Sequence, residues 1–355
     1  MKRTKLIPAL LALAVLSGCG NSISENTGEP AATLQEQQTV SQKHTESTPD
    51  EPEVTKQTTT SAPAEPEPET TTTKKKAKKK KTQKTKADKN APGNVHFMVN
   101  TSSDSTTLTW DGVEGAEGYS VSVKKGKNAE WEELAVTEDT QCTVDVGFNK
   151  KYSFSVRAFV TRDGKKAYSA VNELKFPYLY QKDGITYVDG MMIVNKTYPL
   201  PADYGCGLTE DTEQAFYELS QGAANDGISL WITSGFRSYD EQNWTYWGYV
   251  ERDGSTESAD HYSARAGHSE HQSGYAMDLN FAGMAFNGTP EAQWIEENCF
   301  KYGFILRYPE GKEDKTGYNY ESWHIRYVGL DRAKRLHDSG LTVEEFYGLT
   351  SEYSD

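Results

Sequence analysis

The chain has 355 residues and a mass of 39.6 kDa, a length that suggests two or three domains. Hydrophobic residues make up 35%, below the roughly 45–50% apolar share of an ordinary soluble domain (a tally that includes Gly), so part of the chain is expected to have no core to fill. The net charge of −14 divides into +3 over residues 1–19, −8 over 20–73, +9 over 74–90 and −18 over 91–355; a body this acidic argues against nucleic acid as a partner, because such binding rests on neutralising phosphates, and no apolar run reaches the ~20 residues of a membrane-spanning helix.

The first segment reads as an export signal. Lys2, Arg3 and Lys5 form a basic start, and Leu6 to Leu16 is an apolar stretch of signal-peptide length. It ends in Leu16-Ser17-Gly18-Cys19, which resembles a bacterial lipobox. The resemblance implies that Cys19 is acylated and becomes the mature N-terminus, making a lipoprotein held on the outer face of the cell membrane by its acyl chains. Residues 20–91 are Thr-, Pro-, Glu- and Lys-rich with few aromatics, a composition that cannot offset chain entropy by burial and predicts a disordered tether. As a coil it would span about 45–50 Å, more where like charges stretch it. Within it, the lysine run Lys74–Lys89 is either a solvated spacer or a contact for anionic headgroups or anionic wall polymer.

Residues 92–178 change pattern. Leu108 and Trp110 alternate with polar residues, as do Tyr119, Val121 and Val123, then Cys142, Val144 and Val146, then Tyr152, Phe154, Val156 and Ala158. Period-two runs separated by Gly, Asn and Asp turns predict an all-β sandwich. Trp110 early, Tyr119 next and Tyr152-x-Phe154-x-Val156-x-Ala158 late resemble a fibronectin type III domain. Nothing in it carries chemistry, and a spacer is favoured over a binding platform. Cys142 is expected as a small buried hydrophobe.

Helices and strands mix over residues 183–355. Thr209 is placed to cap a helix whose Thr212, Phe216, Leu219 and Ala223 share one face, stopping before Gly227. Ile228 to Thr233 is expected as a short buried strand. Thr289-Pro290 starts a second helix with an Ala292, Ile295, Cys299, Tyr302 stripe, and Gly303 stops it. Thr342 and Glu345 are spaced as a capping box. The elements do not alternate as βαβ units, so the domain is expected to be α+β, an antiparallel sheet with helices.

Histidines concentrate here. His261, His268 and His271 fall within eleven residues, and His324 follows in Glu321-Ser322-Trp323-His324. Exported proteins that need a Lewis acid at neutral pH commonly use zinc, with three N/O ligands and one open position. His271, Asp278 and His324 supply such a set, with Glu321 a nearby carboxylate able to take a proton from water. By residue types alone, a surface histidine cluster fits as well.

Ser269-x-His271-x-x-Gly274-x-x-x-Asp278 followed by Glu321-x-x-His324 resembles the signature of VanY-type D-alanyl-D-alanine carboxypeptidases, in the wider group of zinc peptidases that includes the hedgehog fold. Asn195-Lys196-x-Tyr198-Pro199-Leu200-Pro201, Ser234-Gly235-Phe236-Arg237-Ser238-Tyr239 and Tyr302-Gly303-Phe304-Ile305-Leu306-Arg307-Tyr308-Pro309 are similar to the family too. The resemblance implies that His271, Asp278 and His324 hold zinc and that Glu321 is the general base, later passing its proton to the leaving amine. It implies that Arg237 lies beside the metal, where a guanidinium pairs with a carboxylate or a developing oxyanion. Gln242 and Ser269 match positions lining the substrate cleft. The implied substrates are peptidoglycan stem peptides.

Asp278 alternates with Met277 and Leu279, so a strand there turns it away from the core and toward a cleft. Glu321 and His324 are three apart, so a straight strand would separate them, and the chain must bend between them. The family favours Pro at positions 322 and 266. This chain has Ser322 and Ala266, which is expected to soften the backbone without removing a ligand. Cys206 and Cys299 offer either a bridge or two separate thiols. Four functions stay open: D,D-carboxypeptidase action on pentapeptide stems, L,D-carboxypeptidase action on tetrapeptide stems, a non-catalytic wall-binding lipoprotein, which would not need the metal set and Glu321 together, and an endopeptidase on cross-bridges, which an open-ended cleft would favour.

Overall fold

The computed structural model describes residues 86–354. The export signal with Cys19, tether residues 20–85 and most of the lysine run lie outside them. The fold starts with β1 (Phe97–Thr101), β2 (Thr106–Trp110), β3 (Gly118–Lys125), β4 (Trp131–Thr137), β5 (Gln141–Val144), β6 (Tyr152–Arg162), β7 (Lys165–Tyr168) and β8 (Glu173–Lys175). One sheet runs β1-β2-β5; the other runs β4-β3-β6-β7, with β8 also on β6. Every pairing is antiparallel. Alternation puts Leu108, Trp110, Tyr119, Val121, Val123, Phe154 and Val156 into one shared core. This is the all-β sandwich of two antiparallel sheets that the alternation predicts. Cys142 departs from expectation: β5 is an edge strand, so its thiol is half-covered while still packing on the core.

A small meander follows, β9 (Leu179–Lys182), β10 (Ile185–Val188) and β11 (Met191–Met192). The second domain continues with α1 (Glu210–Asn225), β12 (Ile232–Ser234), α2 (Tyr239–Asp253), α3 (Thr256–Asp260), β13 (Ala276–Leu279), α4 (Pro290–Asn298), β14 (Phe304–Tyr308), α5 (Glu313–Thr316), β15 (Glu321–Tyr327), α6 (Leu330–Ser339) and α7 (Val343–Tyr347). Its central sheet runs β12-β13-β15-β14, antiparallel throughout, so the domain is α+β.

Local chemistry sets the helix ends. Thr209 caps α1 by accepting from Thr212 N, and Glu210, Asp211 and Glu213 suit the positive end of the helix dipole. Ser238 and Glu241 form a capping box on α2, and Thr342 and Glu345 form one on α7. Thr289 and Pro290 start α4, which tightens into a 3₁₀ turn over Cys299–Tyr302 before Gly303. Of the buried strand expected over 228–233, only Ile232–Ser234 pairs and it is half-buried at most; the Trp231 amide goes to Asn280 Oδ1, and Ile228 and Leu230 pack on the core. Cys299 is buried on the α4 stripe and Cys206 is exposed, and both thiols are free.

Helices α1 and α4 cover one face of the sheet. Leu219, Ala223, Met277, Leu279, Ile295, Phe304 and Ile325 fill that layer. The residues that alternate with them on β13 and β15 face the other side, where the functional side chains gather.

The sandwich shares packing with the second domain. Phe148 and Phe176 pack against Phe346 and Tyr347, with Phe148 stacked on Phe346 at 5.7 Å and Phe176 on Tyr347 at 5.6 Å. Lys150 Nζ donates to the Phe346 carbonyl at 2.8 Å. Asp189, fully buried in the turn after β10, accepts from Thr101 N at 2.9 Å and Thr101 Oγ1 at 2.8 Å. Arg335 on α6 lies 3.4 Å from Asp189 Oδ2 and donates to the Thr101 carbonyl at 2.9 Å.

Candidate metal centre and cleft

His271 sits on a short 3₁₀ turn, Glu270–Ser273, that Gly274 ends at φ 74. A Cβ on Gly274 would stand 2.4 Å from the Gly207 carbonyl oxygen, so only glycine lets the turn pass this close and enter β13. His271 Nδ1 donates to the Gly235 carbonyl at 2.7 Å, which fixes the ring and leaves Nε2 free to face Asp278 Oδ2 at 3.3 Å. Asp278 and His324 are partners across the β13–β15 ladder, and His324 Nδ1 lies 3.0 Å from Asp278 Oδ1. The three candidate ligand atoms lie within 4.8 Å of one another. A tetrahedral ion with ~2.0–2.1 Å bonds needs ligand atoms about 3.4 Å apart, so this donor set fits a zinc ion.

The bend between Glu321 and His324 is a bulge in β15. Leu306 pairs with Ile325, yet Tyr308 pairs with Glu321, so β15 carries two extra residues there. That brings Glu321 Oε2 to 3.8 Å from His324 Nδ1. Bulges recur beside active sites because they re-aim side chains. Ser322 does not leave this bend loose: it is buried, and its hydroxyl bonds Asn287 Oδ1 at 2.7 Å.

Arg237 follows β12 and completes the ring. Its Nη2 lies 4.0 Å from Asp278 Oδ2 and donates to Ser234 Oγ at 2.8 Å, while Nη1 donates to Gln242 Oε1 at 2.9 Å. Gln242 is buried and donates onward to the Ala264 carbonyl at 2.7 Å, so it both lines the cleft and holds Arg237. Ser269 lines the same cleft, a cavity of about 680 Å³. That volume falls in the range of ligand-binding sites.

Burial and charge set the protonation states. Burial, aided by Asp278, pushes the Glu321 carboxyl up to about 8. Burial alone would lower the His324 pKa, but hydrogen bonds to Asp278 and Glu270 outweigh it and hold the imidazole at about 9. Burial would raise Asp278, but His271 and His324 keep it well below the usual carboxylate range.

Glu270 went unnoticed in the sequence. Its Oε2 lies 3.4 Å from His324 Nε2, and its Oε1 accepts from Arg307 Nε at 2.8 Å with Arg326 Nη1 at 3.5 Å. Burial opposes its charge, yet Arg307 and Arg326 hold it well below the usual range. Arg307 and Arg326 were the available signal, since two arginines in strands of a buried sheet require a buried acid. His268 stays apart from the metal set: it donates from Nδ1 to the Asn195 carbonyl at 2.9 Å and stands edge-on to Tyr353. His261 caps the end of α3.

A family model described as VanY, D-alanyl-D-alanine carboxypeptidase, matches residues 206–330. The Bacillus subtilis (strain 168) protein YodJ, named for a carboxypeptidase, is 36% identical over 222 residues, covering 53% of this chain and 81% of its own. Among solved structures, the LdcB LD-carboxypeptidase is 39% identical over 50% of this chain and 98% of its own, with a TM-score of 0.46. A vancomycin-resistance D,D-pentapeptidase VanY, solved in complex with Zn(II), is 30% identical over 43% of this chain and 96% of its own, with a TM-score of 0.40.

Proposed function

The chain belongs to the VanY family of D-alanyl-D-alanine carboxypeptidases, and from that premise we propose a zinc-dependent carboxypeptidase that removes one terminal D-alanine from peptidoglycan stem peptides. One observation carries the reading: His271, Asp278 and His324 converge within 4.8 Å, with the Glu321 carboxyl 3.8 Å from His324. A zinc ion held by these three residues supplies a Lewis acid that lowers the pKa of water and polarises a carbonyl.

The chain's own residues do the rest. Glu321, with its carboxyl 3.8 Å from His324, takes a proton from the attacking water and returns it to the leaving amine. Arg237, held in place by Ser234 and Gln242, presents its guanidinium to the terminal carboxylate or the developing oxyanion. The cleft wall at Ser269 and Gln242 keeps the substrate end against these groups.

Both the D,D bond of a pentapeptide stem and the L,D bond of a tetrapeptide stem end in a D-alanine carboxylate, so the same machinery serves either. The D,D reading follows the family description. Digestion of purified muropeptides, followed by mass, separates them: loss of one alanine from pentapeptide supports the D,D reading, and loss from tetrapeptide alone replaces it with the L,D one. The proposal extends to location, with Cys19 acylated on the outer face of the cell membrane, residues 20–91 as the tether and the Lys74–Lys89 run meeting anionic headgroups or wall polymer. A Cys19→Ser variant released into the medium supports this; one that stays on the membrane refutes the anchor.

A further inference from the structure

We propose that Asn287 is a positioning residue for the reaction: through the buried Ser322 hydroxyl it fixes the stretch of β15 that carries Glu321. The proposal rests on the carboxypeptidase reading above and names what holds its general base in place.

The sheet does not hold this stretch. Pairing with β13 stops at His324, which meets Asp278, and pairing with β14 passes from Ile325 directly to Glu321. Ser322 and Trp323 lie in that gap, so no ladder pair fixes the backbone between the base and the ligand. The Glu321 side chain does little to hold itself. Among the described residues its carboxylate accepts no hydrogen bond, and its ion pair to His324 Nδ1 is long, at 3.8 Å. Trp323 packs against the core layer, but apolar packing is non-directional and leaves the aim of the neighbouring residue open.

A directed contact supplies what the ladders omit. Ser322 is buried, and its hydroxyl donates to Asn287 Oδ1 at 2.7 Å. Asn287 is a fixed post. It ends a short 3₁₀ turn, Met284–Phe286, and its amide donates to the Met284 carbonyl at 3.2 Å. Phe286 before it is fully buried and meets Phe281 edge-on at 5.2 Å. Two residues after it, Thr289 donates to the Phe286 carbonyl from N at 3.2 Å and from Oγ1 at 2.9 Å, and Pro290 then starts α4. Asn287 and Glu321 line the same cleft, so the post stands in the wall of the site it serves.

The consequence falls on the chemical step. Rates drop steeply when a reacting group is misplaced, and Glu321 is the residue next to Ser322 in the chain. Arg237, Gln242 and Ser269, which hold the substrate end, sit on other elements with their own hydrogen bonds. His324 is fixed separately, by its ladder partner Asp278 and by Glu270. Breaking the Ser322–Asn287 bond should therefore lower kcat while leaving KM and zinc affinity in place.

The test uses the zinc-loaded protein and a stem peptide that the wild type cleaves, with Ser322→Ala, Asn287→Ala and the double variant. Each single variant is expected to lower kcat roughly threefold to tenfold, the worth of one hydrogen bond, with KM unchanged. The double variant is expected to fall no further than the weaker single variant, because both changes break the same bond. Zinc affinity, measured by competition with a chelator, is expected to stay at the wild-type value in all three. Thermal unfolding shows whether each fold is retained, and Ser322→Ala, which removes a single atom, carries the test should Asn287→Ala fail to fold. Unchanged kcat in a folded single variant, additive losses in the double variant, or a loss of kcat that follows a loss of zinc overturns the positioning role and leaves the carboxypeptidase reading intact. A zinc-loaded wild type that cleaves no stem peptide overturns both.

Discussion

His324 lies directly opposite Asp278 in the β13–β15 ladder, its Nδ1 3.0 Å from Asp278 Oδ1, while its Nε2 faces Glu270 at 3.4 Å. One imidazole is therefore held on both nitrogens by carboxylates. The inner carboxylate shares the metal set and the outer one belongs to a buried network with Arg307 and Arg326. Ligand geometry in this site is inherited from sheet register on one side and from buried ion pairs on the other.

The outer carboxylate sets the first prediction. A ligating histidine is oriented by whatever its second nitrogen meets, and loss of such a partner typically costs about 10- to 100-fold in metal affinity. Glu270→Gln is expected to weaken zinc binding by that range, measured by competition with a chromophoric chelator. Unchanged affinity would show that Glu270 serves only to pair Arg307 and Arg326.

Metal binding should depend on pH. In the metal-free fold Asp278 and Glu270 hold a proton on His324 up to about 9, and zinc must displace it. Below that value the proton competes, so apparent zinc affinity rises as pH increases from 6 toward 9 and levels off above. Calorimetry in buffers of different ionisation enthalpy should report proton release on binding at neutral pH. An affinity independent of pH over this range would contradict the assignment.

Arg237 is predicted to matter through its fork as well as its charge. Arg237→Lys keeps a cation but loses the paired contacts to Ser234 and Gln242. The expected fall in kcat/KM is about a hundredfold, near the effect of removing an oxyanion-stabilising donor. A change within threefold would remove Arg237 from the catalytic set.

The sandwich and the second domain should unfold together. Asp189 ties the turn after β10 to Thr101 on β1 and to Arg335 on α6. Asp189→Ala leaves the buried Thr101 amide and hydroxyl without their acceptor, while Arg335 keeps Asp331 at 2.8 Å, at a cost of about 1–3 kcal/mol. Calorimetry should show one transition for the wild type, shifted down by several degrees in the variant. Two separate wild-type transitions would show the domains to be independent.

The parts of this fold legible in the sequence are local ones. Thr209, Thr289 and the Thr342–Glu345 box act within one helical turn, so spacing alone reveals them. The alternation of Met277, Asp278 and Leu279 put the carboxylate on the cleft side because a strand has no other way to arrange them. What escaped depends on residues far apart in the chain. The bulge that joins Glu321 to His324 is defined by register against β14, and the Asn287 hydrogen bond that holds Ser322 comes from a separate loop. The Glu270 network and the shared packing of Phe148, Phe176, Phe346 and Tyr347 likewise exist only once distant segments meet.

The most direct test of the central claim is turnover of purified muropeptides by zinc-loaded wild type and Glu321→Ala, followed by mass, with bound zinc measured in the same samples. Wild type is expected to remove one terminal alanine, and the variant to retain zinc while losing that activity by at least about a hundredfold. Undiminished turnover in Glu321→Ala, or no turnover by zinc-loaded wild type on any stem peptide, would contradict the account.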